Sequence, residues 1–423
     1  MSEQPVVSVA VMGQGYVGLP LAMRAAQVGY CVTGFEPDPA RLARLIEGDS
    51  YIEDVGDSVL RDQLAAGRYR PTADVAALAG FDVAVIAVPT PLRDRSPDLS
   101  AVESAAQALA GHLRTGGTVV LESTTYPGTT EELIAPILEA GSGLRAGSDF
   151  HLGYSSERID PGNRTWSLIN TPKLVSGVDE TSLKAITAFY EVLVDHVVPV
   201  SRPSVAELAK LLENTFRHVN IALVNELAMF AHELGIDIGE AIDAAATKPF
   251  GFMRFDPGPG VGGHCLPVDP SYLSWQVRRS LGRSFRFVEL ANDINEHMPE
   301  YVARRVSEIL NRHQRPVNGS RVLLLGLAYK RNSGDCRESP GLALASRLVE
   351  LGAQVAAADP HVSPDLCLAG MVRVQATAAE IAAADLVVLV TDHDAFDLTS
   401  LGCSATPVLD TRRRVPGDTA ERL

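Results

Sequence analysis

One cysteine stands in the most backbone-dense stretch of this 423-residue chain. Asp256-Pro-Gly-Pro-Gly-Val-Gly-Gly-His-Cys-Leu-Pro-Val-Asp-Pro270 packs four glycines and four prolines into 15 residues. That composition predicts a shaped loop rather than a helix or an interior strand. Glycines let a ligand approach the main chain, and a thiolate at Cys265 would add readily to an aldehyde carbonyl. A nearby cation such as Lys210 would lower the thiol's pKa. Asp269, four residues on, could orient that lysine or relay a proton. His264 is the rival partner by adjacency, but sequence neighbours in extended chain point apart. An inert buried thiol is the bland explanation of one cysteine in a long chain; its place among glycines favours the reactive one.

The elements that must position these groups can be read next. From Ser204 to about Leu234 the chain lacks Pro and Gly and its apolar residues recur at helical spacing. Pro203, the Ser204-Val-Ala-Glu207 capping box and Gly235 mark the two ends. Such a helix is roughly 46 Å long, the spine between two α/β domains and a dimer surface. Lys210, Glu213, Asn214, Arg217 and His218 share one stripe of it. A solvated face explains such a stripe by itself; Lys210 and Asn214 gain meaning when something reactive lies opposite.

Upstream, the apolar run Val6–Met12 leads straight into Gly13-Gln-Gly-Tyr-Val-Gly18, then a helical segment, then the strand Cys31–Phe35 closed by Glu36. Gly13 suits the tight turn, Gly15 the approach of backbone to a pyrophosphate, and Gly18 helix–strand contact. The helix N-terminus offers N–H groups to phosphate. Glu36, 18 residues after Gly18, can bind both ribose hydroxyls and would repel a 2′-phosphate, so NAD is expected rather than NADP. Two more buried strands end in Pro89-Thr-Pro91 and Ser123-Thr-Thr125, and a weaker one in Ser156-Glu157. These ends face the ligand crevice of a doubly wound sheet. Glu157 is a plausible base there, with a surface ion pair to Arg158 as the bland alternative.

After the polar linker His313–Gly319, strand and helix alternate again. The first turn of this unit, Gly326-Leu-Ala-Tyr-Lys-Arg331, lacks the triple-glycine fingerprint, so a second dinucleotide is not expected. Lys330, Arg331 and Arg337 cluster beyond a strand's end and suggest a phosphate ligand. The net charge of −15 argues against nucleic acid. No apolar run approaches the roughly 18 residues of a membrane span. Five widely spaced cysteines fit neither a disulfide framework nor a zinc motif, so no metal is expected. The short polar start of the chain reads as no signal peptide, giving a cytoplasmic protein with free thiols.

Taken with Gly13-Gln-Gly-Tyr-Val-Gly-Leu19, Val88-Pro-Thr-Pro91, Glu122-Ser-Thr124, Leu208-Ala-Lys-Leu-Leu-Glu-Asn214, Gly262-Gly-His-Cys-Leu-Pro267, Gly326-Leu-Ala-Tyr-Lys330 and Arg337-Glu-Ser-Pro340, the chain resembles the UDP-glucose/GDP-mannose dehydrogenases. These are NAD-dependent nucleotide-sugar 6-dehydrogenases. The resemblance implies two doubly wound Rossmann-like domains joined by a long central helix and a helical middle domain. The expected divisions are 1–200 for NAD, 201–312 for dimerisation and the Cys loop, and 313–423 for the nucleotide sugar. It implies a homodimer and a four-electron oxidation of the sugar C6 alcohol to a carboxylate, with two NADH formed. Cys265 would be the nucleophile, through a thiohemiacetal and a thioester. Lys210, Asn214 and Asp269 would stabilise the oxyanion and assist proton transfer, and Thr124 and Glu157 would handle water. The implied cofactor set is Gly13, Gly15, Tyr16, Val17, Gly18, Glu36, Pro89, Thr90, Thr124 and Arg337. The implied substrate set is Lys210, Asn214, Arg254, Gly262 and Lys330.

Two departures bear on the substrate. Val268 stands where the glucose-acting branch has Lys, and Lys248–Pro259 with Glu157–Gly162 looks more like the branch acting on 2-acetamido sugars, although Arg254 replaces a neutral residue. UDP- or dTDP-glucose and UDP-2-acetamido sugars are therefore the substrate classes. A single-hydride 3-hydroxyacid dehydrogenase would share the glycine turn and long helix but has no use for Cys265. A non-catalytic NAD-binding protein has no use for Lys210, Asn214, Cys265 and Asp269 together.

Overall fold

A computed structural model describes residues 7–423 except Asp94, Arg95, Pro161, Gly162, Arg164, His264, Cys367 and Asp418, and only the backbone of Cys265. The chain packs as two compact units, Met1–Glu213 and Asn214–Leu423.

The first unit is built on an eight-stranded sheet. Its strands are β1 (Ser8–Met12), β2 (Cys31–Phe35), β3 (Tyr69–Thr72), β4 (Val83–Ile86), β5 (Thr118–Leu121), β6 (His151–Tyr154), β7 (Lys173–Gly177) and β8 (Val197–Pro199). Their order is β8-β7-β6-β5-β4-β1-β2-β3. All neighbours are parallel except β6 and β7. β4 and β5 are buried at every position, which is why they read as unbroken apolar runs. Helix α1 (Gly18–Gln27) buries Leu19, Leu21, Ala22 and Ala25 against β1 and its neighbours. Helix α2 (Glu180–Leu193) is capped by the Asp179 side chain, which accepts from Ser182 N.

In the second unit, β9 (Arg321–Leu325), β10 (Gln354–Ala358), β11 (Met371–Arg373), β12 (Leu386–Leu389), β13 (Val408–Asp410) and β14 (Glu421–Arg422) form a six-stranded sheet. Its order, β11-β10-β9-β12-β13-β14, is parallel throughout. Chain order reverses between β9 and β12, as it does between β1 and β4. Those switch points are where doubly wound sheets open a ligand crevice.

The long helix, α3 (Pro203–Glu233), runs 31 residues. It ends where expected: Gly235 takes φ 66°, and Ile236 N donates to Ala231 O at 2.8 Å, satisfying a terminal carbonyl. Its start departs from the expected capping box, because Glu207 bonds a different loop instead. The unit is completed by α4 (Ile238–Ala246), α5 (Cys265–Leu281), α6 (Arg286–Arg312) and α7 (Pro340–Glu350).

The Cys-bearing stretch also departs from expectation. Only its glycine half is loop; from Cys265 onward it is helix, with Pro270 inside α5. Proline in a first turn removes an N–H that has no intrahelical partner anyway, so Pro267 is tolerated at little cost. Val268, Asp269 and Pro270 are buried, and that packing holds the turn that proline content argued against.

Candidate active site

On the first unit the expected residues gather along one sheet edge. Register pairs Met12 with Ile86, Ile86 with Leu121, and Leu121 with Tyr154. Gly15, Pro89, Thr124 and Glu157 each lie three residues beyond those partners, at equivalent levels past the carboxyl ends of β1, β4, β5 and β6. The ladder continues beyond the strands: Gly13 N donates to Phe35 O at 2.9 Å and Ala87 N to Met12 O at 2.9 Å. Ser123 Oγ donates to Val88 O at 2.7 Å, tying the β4 and β5 exits together. Thr90 is buried, Thr124 half-buried and Pro89 exposed.

The glycines separate by what surrounds them. A Cβ on Gly18 would lie 1.9 Å from Gly13 O, whereas one on Gly15 would meet nothing within 4 Å. Gly18 is thus demanded by the fold, and Gly15 opens a space in front of α1. At the N-cap of α1, Val17 supplies no side-chain acceptor, so the helix terminus presents its N–H groups outward. Tyr16 packs half-buried against the core beside it. Glu36 is 4% exposed and accepts from Gln14 N and Asp38 N, both at 3.1 Å. A carboxylate has about four acceptor directions, so it retains capacity for ribose hydroxyls. The open space at Gly15, the uncapped helix and this acid fit a dinucleotide.

Glu157 is not paired with Arg158. Arg158 turns to Glu213, while Glu157 is buried and bonded at 2.9 Å to Lys173 Nζ, which also lies 2.9 Å from Glu122 Oε1. Sequence reasoning missed Lys173 and Glu122. The available signal was a lone lysine heading an apolar strand, and an acid closing another.

Lys210 on α3 is 7% exposed. One turn before it, Glu207 is fully buried and accepts from Gly128 N at 2.6 Å, Thr130 N at 2.9 Å and Thr130 Oγ1 at 2.6 Å. It thereby fixes the loop that follows Thr124. Burial pushes this carboxyl up to about 7. A folded-state value above the unfolded one contributes stability that is complete at low pH and is lost as pH rises through the folded value. Against Glu207→Gln, the wild-type advantage in thermal or denaturant stability should therefore shrink by up to about 3 kcal/mol between about pH 4.5 and pH 7.5. Parallel pH profiles for the two proteins would refute this.

On the second unit, Asn214 Nδ2 donates to Asp269 Oδ2 at 2.5 Å, both side chains being buried. Asp269 lies one turn after Cys265 on α5; the Cys265 side chain and all of His264 lie outside the described residues. The stripe on α3 is not uniformly solvated: Lys210, Asn214 and His218 are buried, while Arg217 is exposed. Burial lowers the pKa of His218, whose Nε2 is 2.8 Å from Asn292 Oδ1. Asn225 Oδ1 accepts from Gly258 N at 2.9 Å, anchoring the glycine loop to the long helix.

That loop packs on the exit of β9. A Cβ at Gly262 would lie 2.6 Å from Tyr329 Cβ and 2.7 Å from Glu338 O, and Gly263 N donates to Arg337 O at 2.9 Å. The structure thus brings Gly262 beside the Lys330 and Arg337 segment. The cation cluster is less available than its sequence suggests, since Arg331 pairs with Asp394 and Asp392 and Arg337 with Asp335. Arg254 is exposed and held by Asp243 and Asp256. The segment 326–332 is shaped by Asp359 and His393: Asp359 Oδ2 accepts from Leu327 N at 2.7 Å and Ala328 N at 3.0 Å, and His393 Nδ1 accepts from Asn332 N at 2.9 Å. Neither residue was singled out in the sequence.

Among the described residues no helix is long and apolar enough to cross a membrane. Comparison with known proteins is consistent from end to end. Residues 7–194 match the NAD binding domain, 204–297 the central domain and 323–416 the UDP binding domain of the UDP-glucose/GDP-mannose dehydrogenase family. The chain is 36% identical over 389 residues to the UDP-N-acetyl-D-mannosamine dehydrogenase of Pyrococcus horikoshii, covering 92% of this chain and 90% of that protein. It is 37% identical over 361 residues to the UDP-N-acetyl-D-glucosamine 6-dehydrogenase of Pseudomonas aeruginosa, covering 85% and 84%. The solved structure of the P. horikoshii UDP-D-ManNAc dehydrogenase superposes with a TM-score of 0.88 at 33% identity, over 98% of this chain and 99% of that one. A UDP-glucose dehydrogenase from Pyrobaculum islandicum also gives 0.88, at 28% identity, over 100% and 98%. Glycine turn, sheet-edge residues, Cys-bearing helix and full-length likeness agree: this chain belongs to the UDP-glucose/GDP-mannose dehydrogenase family, and is an NAD-dependent oxidoreductase acting on a CH–OH group.

Proposed function

We propose that the substrate is a UDP-linked 2-acetamido-2-deoxyhexose, oxidised at C6 from alcohol to carboxylate with two NADH formed. The observation that carries the mechanism is the buried Asn214–Asp269 hydrogen bond, one helical turn from Cys265. The substrate class is supported by full-length relatives named for N-acetylated sugars, and by the buried Val268 in place of the lysine of the glucose-acting branch.

Bound across the β1–α1 turn, NAD would supply the hydride acceptor for both oxidations. Cys265 adds to the C6 aldehyde to give a thiohemiacetal, whose oxidation leaves a thioester. Its place as the first residue of α5 suits a thiolate, because free N–H groups at a helix start favour negative charge. Lys210 and Asn214 donate to the oxygen on which charge develops, and Asp269 holds the Asn214 amide in position. Thr124 and Glu157 handle the water that releases the acid. Gly262 gives the sugar access to the main chain, Lys330 and Arg254 hold the nucleotide sugar, and Arg337 reaches the cofactor. Divisions at 200 and 312 and a cytoplasmic setting belong to the same reading.

The test is incubation with NAD and single nucleotide sugars, following NADH absorbance and product mass. Two NADH per sugar, with gain of one oxygen and loss of two hydrogens, are expected for a UDP-2-acetamido sugar. One NADH, or turnover only with UDP-glucose, would overturn the reading.

A homodimer is part of this proposal. Leu208, Leu212, Phe216, Leu223, Leu227 and Phe230 are each at least 43% exposed along α3, and their spacing places them on one face. A second copy of that face is the complementary surface for so long an apolar stripe. Leu223→Glu with Leu227→Glu should turn a dimer into a monomer by light scattering; an unchanged mass would sink the assignment.

A further inference from the structure

Two carboxylates and one ammonium are buried together at the carboxyl edge of the first sheet. Lys173 heads β7 with its side chain 3% exposed, and Glu122, just past β5, is 0% exposed. Glu157, past β6, completes the group at 9%. Tyr190 on α2 donates its hydroxyl to Glu122 Oε1, and its ring centroid lies 5.4 Å from Lys173 Nζ. Arg158, next in sequence to Glu157, is directed away to Glu213 and Pro172 O. Buried ions need partners of opposite charge, yet one ammonium cannot neutralise two carboxylates.

The hydrogen bonds show how the imbalance is divided. Glu157 Oε1 accepts from Arg158 N and Ile159 N, and Oε2 accepts from Lys173 at 2.9 Å. Glu122 Oε2, in contrast, is buried without a hydrogen-bond partner among the described residues, and burial raises the Glu122 carboxyl. Lys173 Nζ lies 2.9 Å from both Glu122 Oε1 and Glu157 Oε2, so the two carboxylates compete for one ammonium. Of about four acceptor directions on a carboxylate, Glu157 has three taken and one open among the described residues.

We propose that Lys173 is a positioning residue for Glu157, its buried ammonium, seated by Glu122, holding Oε2 of the Glu157 carboxylate in place with one acceptor direction left, among the described residues, for water. This rests on the reading that Glu157 serves thioester hydrolysis. In that step water gives its oxygen and one hydrogen to the acyl carbon and its other proton to Glu157. The C–S bond breaks and its electron pair returns to the Cys265 sulfur; no redox change is involved.

The test combines intact-protein mass spectrometry during turnover with pH–rate profiles. Lys173→Met should lower kcat about 10²-fold, a usual size for a base contribution, while KM for the nucleotide sugar stays within about threefold. Acyl-enzyme should accumulate, and the acid limb of kcat should move to higher pH. Lys173→Arg should restore most of the rate. Glu122→Gln removes the competitor for the ammonium and should move the acid limb the opposite way; this variant decides the matter where Lys173→Met does not fold. A fall in kcat without acyl-enzyme and without a shifted limb, or an unshifted limb in Glu122→Gln, overturns the role of Lys173. Absence of acyl-enzyme in Glu157→Gln would instead overturn the parent reading of Glu157.

Discussion

Cys265→Ala should leave a folded protein that still binds NAD and forms no sugar acid. Removal of a covalent nucleophile costs at least about 10³-fold in turnover when other groups remain in place. The fold gives little reason for a structural loss. Cys265 opens α5, and alanine is a strong helix former there. The Asn214–Asp269 bond does not depend on the thiol. Stopped-flow NADH absorbance with product mass is the measurement. A first oxidation retained without acid release would place Cys265 in the second half of the reaction only. Retention of more than about a tenth of wild-type acid formation would remove covalent catalysis altogether.

Much of the cofactor half was legible because its signals are local. A glycine turn between strand and helix, an acid at the end of the next strand and apolar runs for buried strands are each set by a few adjacent residues. The register that levels Gly15, Pro89, Thr124 and Glu157 then follows from doubly wound topology. What stayed hidden depends on partners distant in sequence. Glu207 sits where a capping glutamate should, but Thr130, 77 residues away, claims it. Lys173 meets Glu122 across 51 positions of sequence, and periodicity carries no information on such a pairing. Prolines misled at α5 because composition counts them, while the fold places Pro267 in a first turn where its missing N–H costs little.

Gly15→Leu should separate binding from folding. The ideal Cβ there meets nothing within 4 Å, and no positive φ is required at this residue, so the melting temperature should stay within about 2 °C of wild type. The added side chain would fill the space before α1 that a pyrophosphate needs. Loss of those N–H contacts should weaken NAD binding by at least about 30-fold, about 2 kcal/mol. Gly18→Ala is the contrasting variant. Its Cβ would sit 1.9 Å from Gly13 O, a clash with main chain that only a backbone shift relieves, so stability should fall by about 1–3 kcal/mol or more. Both variants lose activity, but calorimetric titration with NAD on samples shown to be folded tells them apart. Unimpaired NAD affinity in Gly15→Leu would mean that the dinucleotide does not lie across the α1 terminus, and the roles given to Glu36 and Val17 would fail with it.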